Sequence, residues 1–326
     1  MSQPTLTEEG FAPQPPGAEV QIVGRSSWEL FRVRFLQDRL AVAGAIIIVL
    51  LVALAISAPL FKLILHRGHN DLFGDTELTK DLGLPKGPNG NFWFGADQVG
   101  RDLFLRTIYG ARTSLVVAFI ATGIASLTGI ILGLVAGFRG GVADTIISRL
   151  VDIVLSMPIL LFAIGIASVC SISANGCLHG LLQPGFSLVI ALIAVFTWPN
   201  IARIVRGQVL SLREREFIEA ARSLGAKAPW IMFRELLPNL VAPIVVYTTL
   251  IIPSNILFEA YLSFLGIGVP QSTPSWGRML SDASNGQFFT YAWWMMLFPG
   301  MFLLLTTLSF NLVGDGLRDA LGPSER

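Results

Sequence analysis

Runs of apolar residues long enough to cross a lipid bilayer constrain this chain more than any other feature. A hydrocarbon core of ~30 Å needs ~20 apolar residues in a helix. Six such runs follow one another, over 41–62, 114–137, 150–169, 186–205, 240–262 and 292–313. Of the 326 residues, 53% are hydrophobic and 14% charged, about half the charged share of an average soluble protein, so the expectation is an all-α membrane protein rather than a soluble globule. The 22 Phe, 7 Trp and 32 Gly suit aromatic girdles and close helix contacts. A formal net charge of +1 gives no bulk positive field for nucleic acid, and no nucleic-acid partner is expected.

Six spans place both termini on one side. All basic residues except Lys62, Arg67, Lys80, Lys86, Arg101, Arg106, Arg112 and Arg278 fall in segments that face inward if the amino terminus does. Basic segments stay cytoplasmic, so both termini are expected inside. Residues 1–24 are polar and proline-bearing, the composition of a disordered tail, and no secretory leader is expected because the first apolar run begins near Leu40. Before the first run, SSWELFRVRFLQDRL alternates apolar and basic residues, and over 25–39 Trp28, Leu30, Phe31 and Phe35 are able to face lipid. That reads as an amino-terminal interfacial amphipathic helix, with a simple basic anchor as the alternative. The spans form one domain over 40–313 with a cytoplasmic loop at 206–239, and 314–326 is read as a cytoplasmic tail.

The second run carries Ala121, Ala125, Gly129, Gly133 and Gly137, small at every fourth position, a face that lets a neighbouring helix approach closely. The middles of the spans lack Asp, Glu, Lys, Arg and His, which disfavours coupling to an ion gradient. Polar groups beside prolines do occur: Thr197, Trp198 and Asn200 around Pro199, and Thr248, Ser254 and Asn255 around Pro253. They are candidates for lining a wet path, because a proline frees a carbonyl that needs water or a neighbour. Bonding between helices remains the alternative. No GxxxxGK[ST] is present, so the chain has no P-loop for a nucleotide. HRGH at His66–His69 has no Cys or carboxylate beside it to complete a ligand set, and no metal is expected. Cys170 and Cys177 flank SISANG on the outer side of the third span, where nearby cysteines tend to pair; a disulfide and two unpaired thiols both remain open.

Two outer segments, GLPKGPNGNFWFGADQVGRDLFLRTIYGARTSL and LSFLGIGVPQSTPSWGRML, are too rich in glycine and proline to be span alone. They suit docking of an external partner, or lids that only pack on the bundle. Between the fourth and fifth runs lies EFIEAARSLGAKAPWIMFRELLPN. Phe217, Ala220, Ala221 and Leu224 fall at helical spacing as one apolar stripe beside Glu216, Glu219 and Arg222. Gly225 supplies a left-handed stop, Pro229 starts a second helix over Trp230–Leu237, and Pro238 precedes the next span. A short helix with a narrow apolar face fits a groove in another protein, or lies on lipid.

Glu219, Ala220, Ala221, Gly225, Leu237 and Pro238 match the EAA loop of the membrane subunits of ABC importers, with Glu235 where many members carry isoleucine. With FGADQVGRDLFLRTIYGARTSL, EAYLSFLGIGVPQSTPSWGRML and FNLVGDGLRDAL, the chain resembles the second permease subunit of dipeptide and oligopeptide importers from about Asn91 onward. The resemblance implies a type I ABC importer permease fold in the plasma membrane of a prokaryote, with no catalysis in this chain. It implies a heterodimer with a homologous second permease, two cytoplasmic ATPases that bind ATP and Mg, and an extracytoplasmic binding protein that delivers peptide. Phe217, Glu219, Ala220, Ala221, Leu224, Gly225 and Pro238 would then couple the chain to an ATPase. Alternatives are an ion-coupled carrier acting alone, or a same-family importer of nickel chelates, glutathione or sugars.

Overall fold

The computed structural model describes residues 27–79, 83–172, 177, 183, 185–285 and 288–322. The tail expected over 1–24 and the last residues, 323–326, lie outside the described residues. Helices account for nearly all of the regular structure, and isolated β bridges pair Leu78 with Pro85 and Ala96 with Asp102.

α1 (Ser27–Gln37) and α2 (Arg39–Leu65) are separated at Asp38. Its extended backbone breaks the first helix, and its carboxylate accepts from the amides of Leu40 at 2.9 Å and Ala41 at 3.2 Å to start the second. Phe35, expected to face lipid, instead lies beside Gly316 of the last helix, and the Arg34 guanidinium donates to Gly322 O at 3.4 Å. The amino-terminal helix therefore packs partly on protein.

α3 (Leu103–Arg139) is the longest apolar helix together with α8, described below. It is followed by α4 (Gly141–Ser156) and α5 (Ile159–Ile172). The run expected as a span over 150–169 is broken in the middle, and its helical part begins earlier, at Gly141. Met157 is extended and Pro158 follows it, so the two helices meet at 86°. The proline ring disfavours the helical conformation at the preceding residue, and here Met157 takes the extended one. α5 packs through Ala163, Ala167 and Cys170 on Val117, Ala121, Leu192 and Leu262, and a disulfide joins Cys170 to Cys177 with their Cα atoms 4.9 Å apart.

α6 (Phe186–Leu212) lies parallel to α3 along the small-residue stripe. A Cβ added at Gly129, Gly133 or Gly137 would come within 2.7 Å of Ile201, Ala202 O or Val209 respectively, so backbone nearly touches side chain along three helical turns. α7 (Glu216–Ser223) turns the chain into α8 (Ala228–Phe264), and α9 (Trp276–Ser284) and α10 (Trp294–Leu321) complete the fold. α8 runs antiparallel to α3, as the pairs Ser126 with Thr248 and Thr122 with Asn255 show. The final helix reaches Leu321, so residues 314–321, expected as tail, are helical. Gly314 and Gly316 within it face Leu250 and Ala41, and this packing is what keeps the helix going.

Candidate functional site

The interruption between α6 and α8 sits at the end of the bundle where α3 finishes, with the Arg213 guanidinium donating to Gly137 O at 3.0 Å. α7 closes with a Schellman motif: Ala226 N–H donates to Ala221 O at 3.0 Å and Gly225 N–H to Arg222 O at 2.9 Å. Gly225 takes φ +79° there, and nothing lies within 4 Å of a Cβ built on it. The glycine is required by backbone conformation, not by space. Gly225→Ala is expected to destabilise this turn by about 1–2 kcal/mol and Gly225→Asn by less, seen as faster amide hydrogen exchange confined to 216–226.

The apolar stripe expected on α7 is split. Ile218, which the spacing argument passed over, is fully buried. With Ala221 it packs among Val205, Val209, Ile231 and Leu236. Phe217, Ala220 and Leu224 lie on the outward edge; Leu224 is 88% exposed. Ala221 therefore does not share the open face with them. The reason is width: on one eight-residue helix, apolar residues at 217, 218, 220, 221 and 224 cover more than one narrow stripe, and only the edge nearest α6 and α8 can be buried. Glu216 and Glu219 are exposed beside the open edge, while Arg222 sits with Cζ 5.5 Å from the Phe138 ring centroid.

The second helix expected over Trp230–Leu237 is not separate but the first part of α8. Pro238 lies inside it, so its missing N–H and its ring would break ordinary α-helical bonding to the preceding turn. The chain responds with a π-helical turn over Ile231–Leu236, in which Leu237 N–H donates to Met232 O, and the Asn239 side-chain Nδ2 donates to Glu235 O at 2.7 Å. This turn sends Ile231, Met232 and Leu236 inward while Trp230 and Phe233 stay exposed at 45% and 56%. Trp230 and Phe233 add an aromatic pair to the apolar surface of this end, which the motif alone did not single out.

The candidate path residues divide. Thr197 Oγ1 donates to Asn255 Oδ1 at 2.9 Å and Asn255 Nδ2 donates to Thr122 Oγ1 at 2.7 Å, all buried. These side chains bridge α3, α6 and α8. Thr248 bonds Ser126 at 3.3 Å. Trp198 and Asn200 are half-buried, and Ser254 is exposed.

At the opposite end, the segment between α2 and α3 folds onto α9 through buried charges that the sequence did not reveal as a cluster. Arg101 pairs with Asp97 at 2.6 Å and reaches Asp282 at 3.8 Å, Arg106 faces Asp97 at 3.4 Å, Arg67 pairs with Asp102 at 3.0 Å, and Arg278 faces Asp282 at 3.4 Å. Burial pushes the Asp102 and Asp282 carboxyls above the ordinary aspartate range, opposed at Asp102 by the Leu105 amide and then Arg67, and at Asp282 by Arg278, Arg106 and Arg101. His69 stacks on Tyr109 at 4.2 Å between ring centroids, and burial, then Arg106, lowers its pKa.

The family described as binding-protein-dependent transport system inner membrane component matches residues 129–326. The N-terminal TM domain of oligopeptide transport permease C matches 26–64. The oligopeptide transport system permease protein OppC of Bacillus subtilis is 40% identical over 301 residues, covering 92% of this chain and 91% of the relative. The dipeptide transport system permease protein DppC of Alkalihalophilus pseudofirmus is 40% identical over 322 residues, covering 99% and 97%. A solved inward-facing structure of the MetNI methionine ABC transporter shares the fold at a TM-score of 0.52 and 20% identity, over 68% of this chain and 97% of that one.

Proposed function

The chain belongs to the binding-protein-dependent transport system inner membrane components, as an ABC importer permease subunit of the dipeptide and oligopeptide class, and on that premise we propose that it carries peptides into the cytoplasm as one half of a membrane pathway. A homologous second permease forms the other half. Two ATPase subunits, which hold the ATP and Mg, dock on the α7 end, and a binding protein delivers peptide at the α9 end. The α7 end is then cytoplasmic, with α1 on the inner surface, a six-span unit over 40–313 and the coupling segment at 206–239.

The observation that carries this reading is the open apolar surface of Phe217, Leu224, Trp230 and Phe233. Phe217 and Leu224 are held on a capped helix that is itself anchored through Ile218 and Ala221, and Trp230 and Phe233 on the first turns of α8. An amphipathic helix offered to solvent at one edge is the form that helix-in-groove recognition uses. Glu219 and Glu216 beside it would set the orientation of docking, since charges at a rim steer and register more than they bind.

In the reconstituted complex, loaded binding protein should accelerate ATP hydrolysis. Glu219→Lys should leave hydrolysis in place while lowering peptide imported per ATP several-fold, measured with labelled peptide in proteoliposomes. Normal import by that variant would count against the docking assignment. Mass spectrometry of solute retained by the co-purified binding protein identifies the cargo, and recovery of a nickel chelate, glutathione or a sugar in place of peptide would overturn the substrate class.

A further inference from the structure

Glu259 lies near the α9 end of α8 and is fully buried. Among the described residues no cation pairs with it. Its Oε2 accepts from Ser114 Oγ of α3 at 2.8 Å and its Oε1 from Ser263 Oγ at 2.7 Å, and the hydroxyl of Ser275 faces the same carboxyl. All three serines are fully buried. Ser275 is also the N-cap of α9, accepting from Arg278 N–H at 3.2 Å, and Ser263 Oγ lies 3.5 Å from the amide of Val269 in the connecting loop. One carboxyl thus ties α3 to α8 and, through Ser263, to the connection after α8, with the start of α9 packed beside it where Gly277 meets the Ala260 backbone.

A carboxyl without a counter-cation is an expensive way to fill a core. Each serine contributes a single proton, so the set is satisfied only while the three helices keep one register, and a displacement that lengthens the bonds leaves buried hydroxyls and carboxyl unpaired together. Such a joint holds or releases and does not bend gradually. α8 runs continuously from Ala228, beside the open surface, to Phe264, beyond Glu259. Both ends of the molecule are therefore attached to one helix.

We propose that Glu259 is a positioning residue that registers α9 against α3 and α8, so that a partner bound at the α9 end acts on the α7 segment through α8. This rests on the importer reading above. The test uses the whole complex in nanodiscs and reads basal ATP hydrolysis and its stimulation by loaded binding protein separately. Glu259→Ala should reduce the stimulation on the order of tenfold, the scale of a typical coupling between distant sites, with basal hydrolysis within about twofold. Glu259→Gln keeps the shape and can satisfy both bonded hydroxyls, so it should restore most of the stimulation. Ser114→Ala combined with Ser263→Ala removes the two hydrogen bonds without touching the carboxyl, should match Glu259→Ala, and decides the matter if that variant does not assemble. Full stimulation in the serine double variant would overturn the proposal, as would an equal fall in basal and stimulated rates in every variant, with no rescue by glutamine. A lack of stimulation in the unmodified complex would instead count against the importer reading itself.

Discussion

Leu224→Asp should cut peptide import roughly tenfold or more while leaving the isolated protein as stable as before, because a lost apolar contact of about 1.5–3 kcal/mol in a partner's groove is worth at least one decade. The side chain is 88% exposed and touches little of its own chain, so the fold has nothing to lose. A partner burying it would lose the apolar contact and would also have to desolvate a carboxylate. Ile218→Asp, on the same helix, is the contrasting case. Ile218 is fully buried among Val205, Val209 and Leu236, and a charge there should detach α7 and lower the melting temperature as well as import. Measuring thermal stability in detergent beside import in proteoliposomes separates the two. If Leu224→Asp imports normally, the open edge of α7 is not where the ATPase docks.

Gly133→Ile should yield no folded protein. An added Cβ at this position would sit 2.7 Å from Ala202 O and 2.8 Å from Val205 Cβ. The first neighbour is backbone, which no rotamer change can move aside, so α3 and α6 must separate along their length. Overpacking by even one methyl costs about 1–3 kcal/mol, and Gly133→Ala should accordingly lower the melting temperature by several degrees. Isoleucine adds three more carbons into the same seam, against a total stability of only about 5–15 kcal/mol. Gly123→Ala is the internal control, since nothing lies within 4 Å of a Cβ there, and it should be neutral or stabilising by about 1 kcal/mol through helix propensity. Size-exclusion profiles of the three variants after mild solubilisation check the order, and a monodisperse Gly133→Ile peak would refute the close approach of α3 and α6.

Residue type and spacing alone settled the helices, the family and the small-residue seam, because apolar length, the EAA pattern and Gly129, Gly133 and Gly137 act locally or along one helix face. The sequence also contained the breaks, but their outcome depended on neighbours. Pro158 turned a span through 86°, whereas Pro238 was absorbed by a π-helical turn inside α8, and the same residue type thus gave two backbone outcomes. Ile218 and Ala221 became the anchor of α7, and Phe217 and Leu224 its open edge, because burial on a short helix is decided by which side α6 and α8 occupy. The clustering of Asp97, Arg101 and Arg106 with Asp282, and the joining of Ser114 to Glu259, bring together residues far apart in the chain. Such contacts have no local periodicity to announce them, so only the tertiary structure could decide which charges are paired and which carboxyl is held by hydroxyls alone.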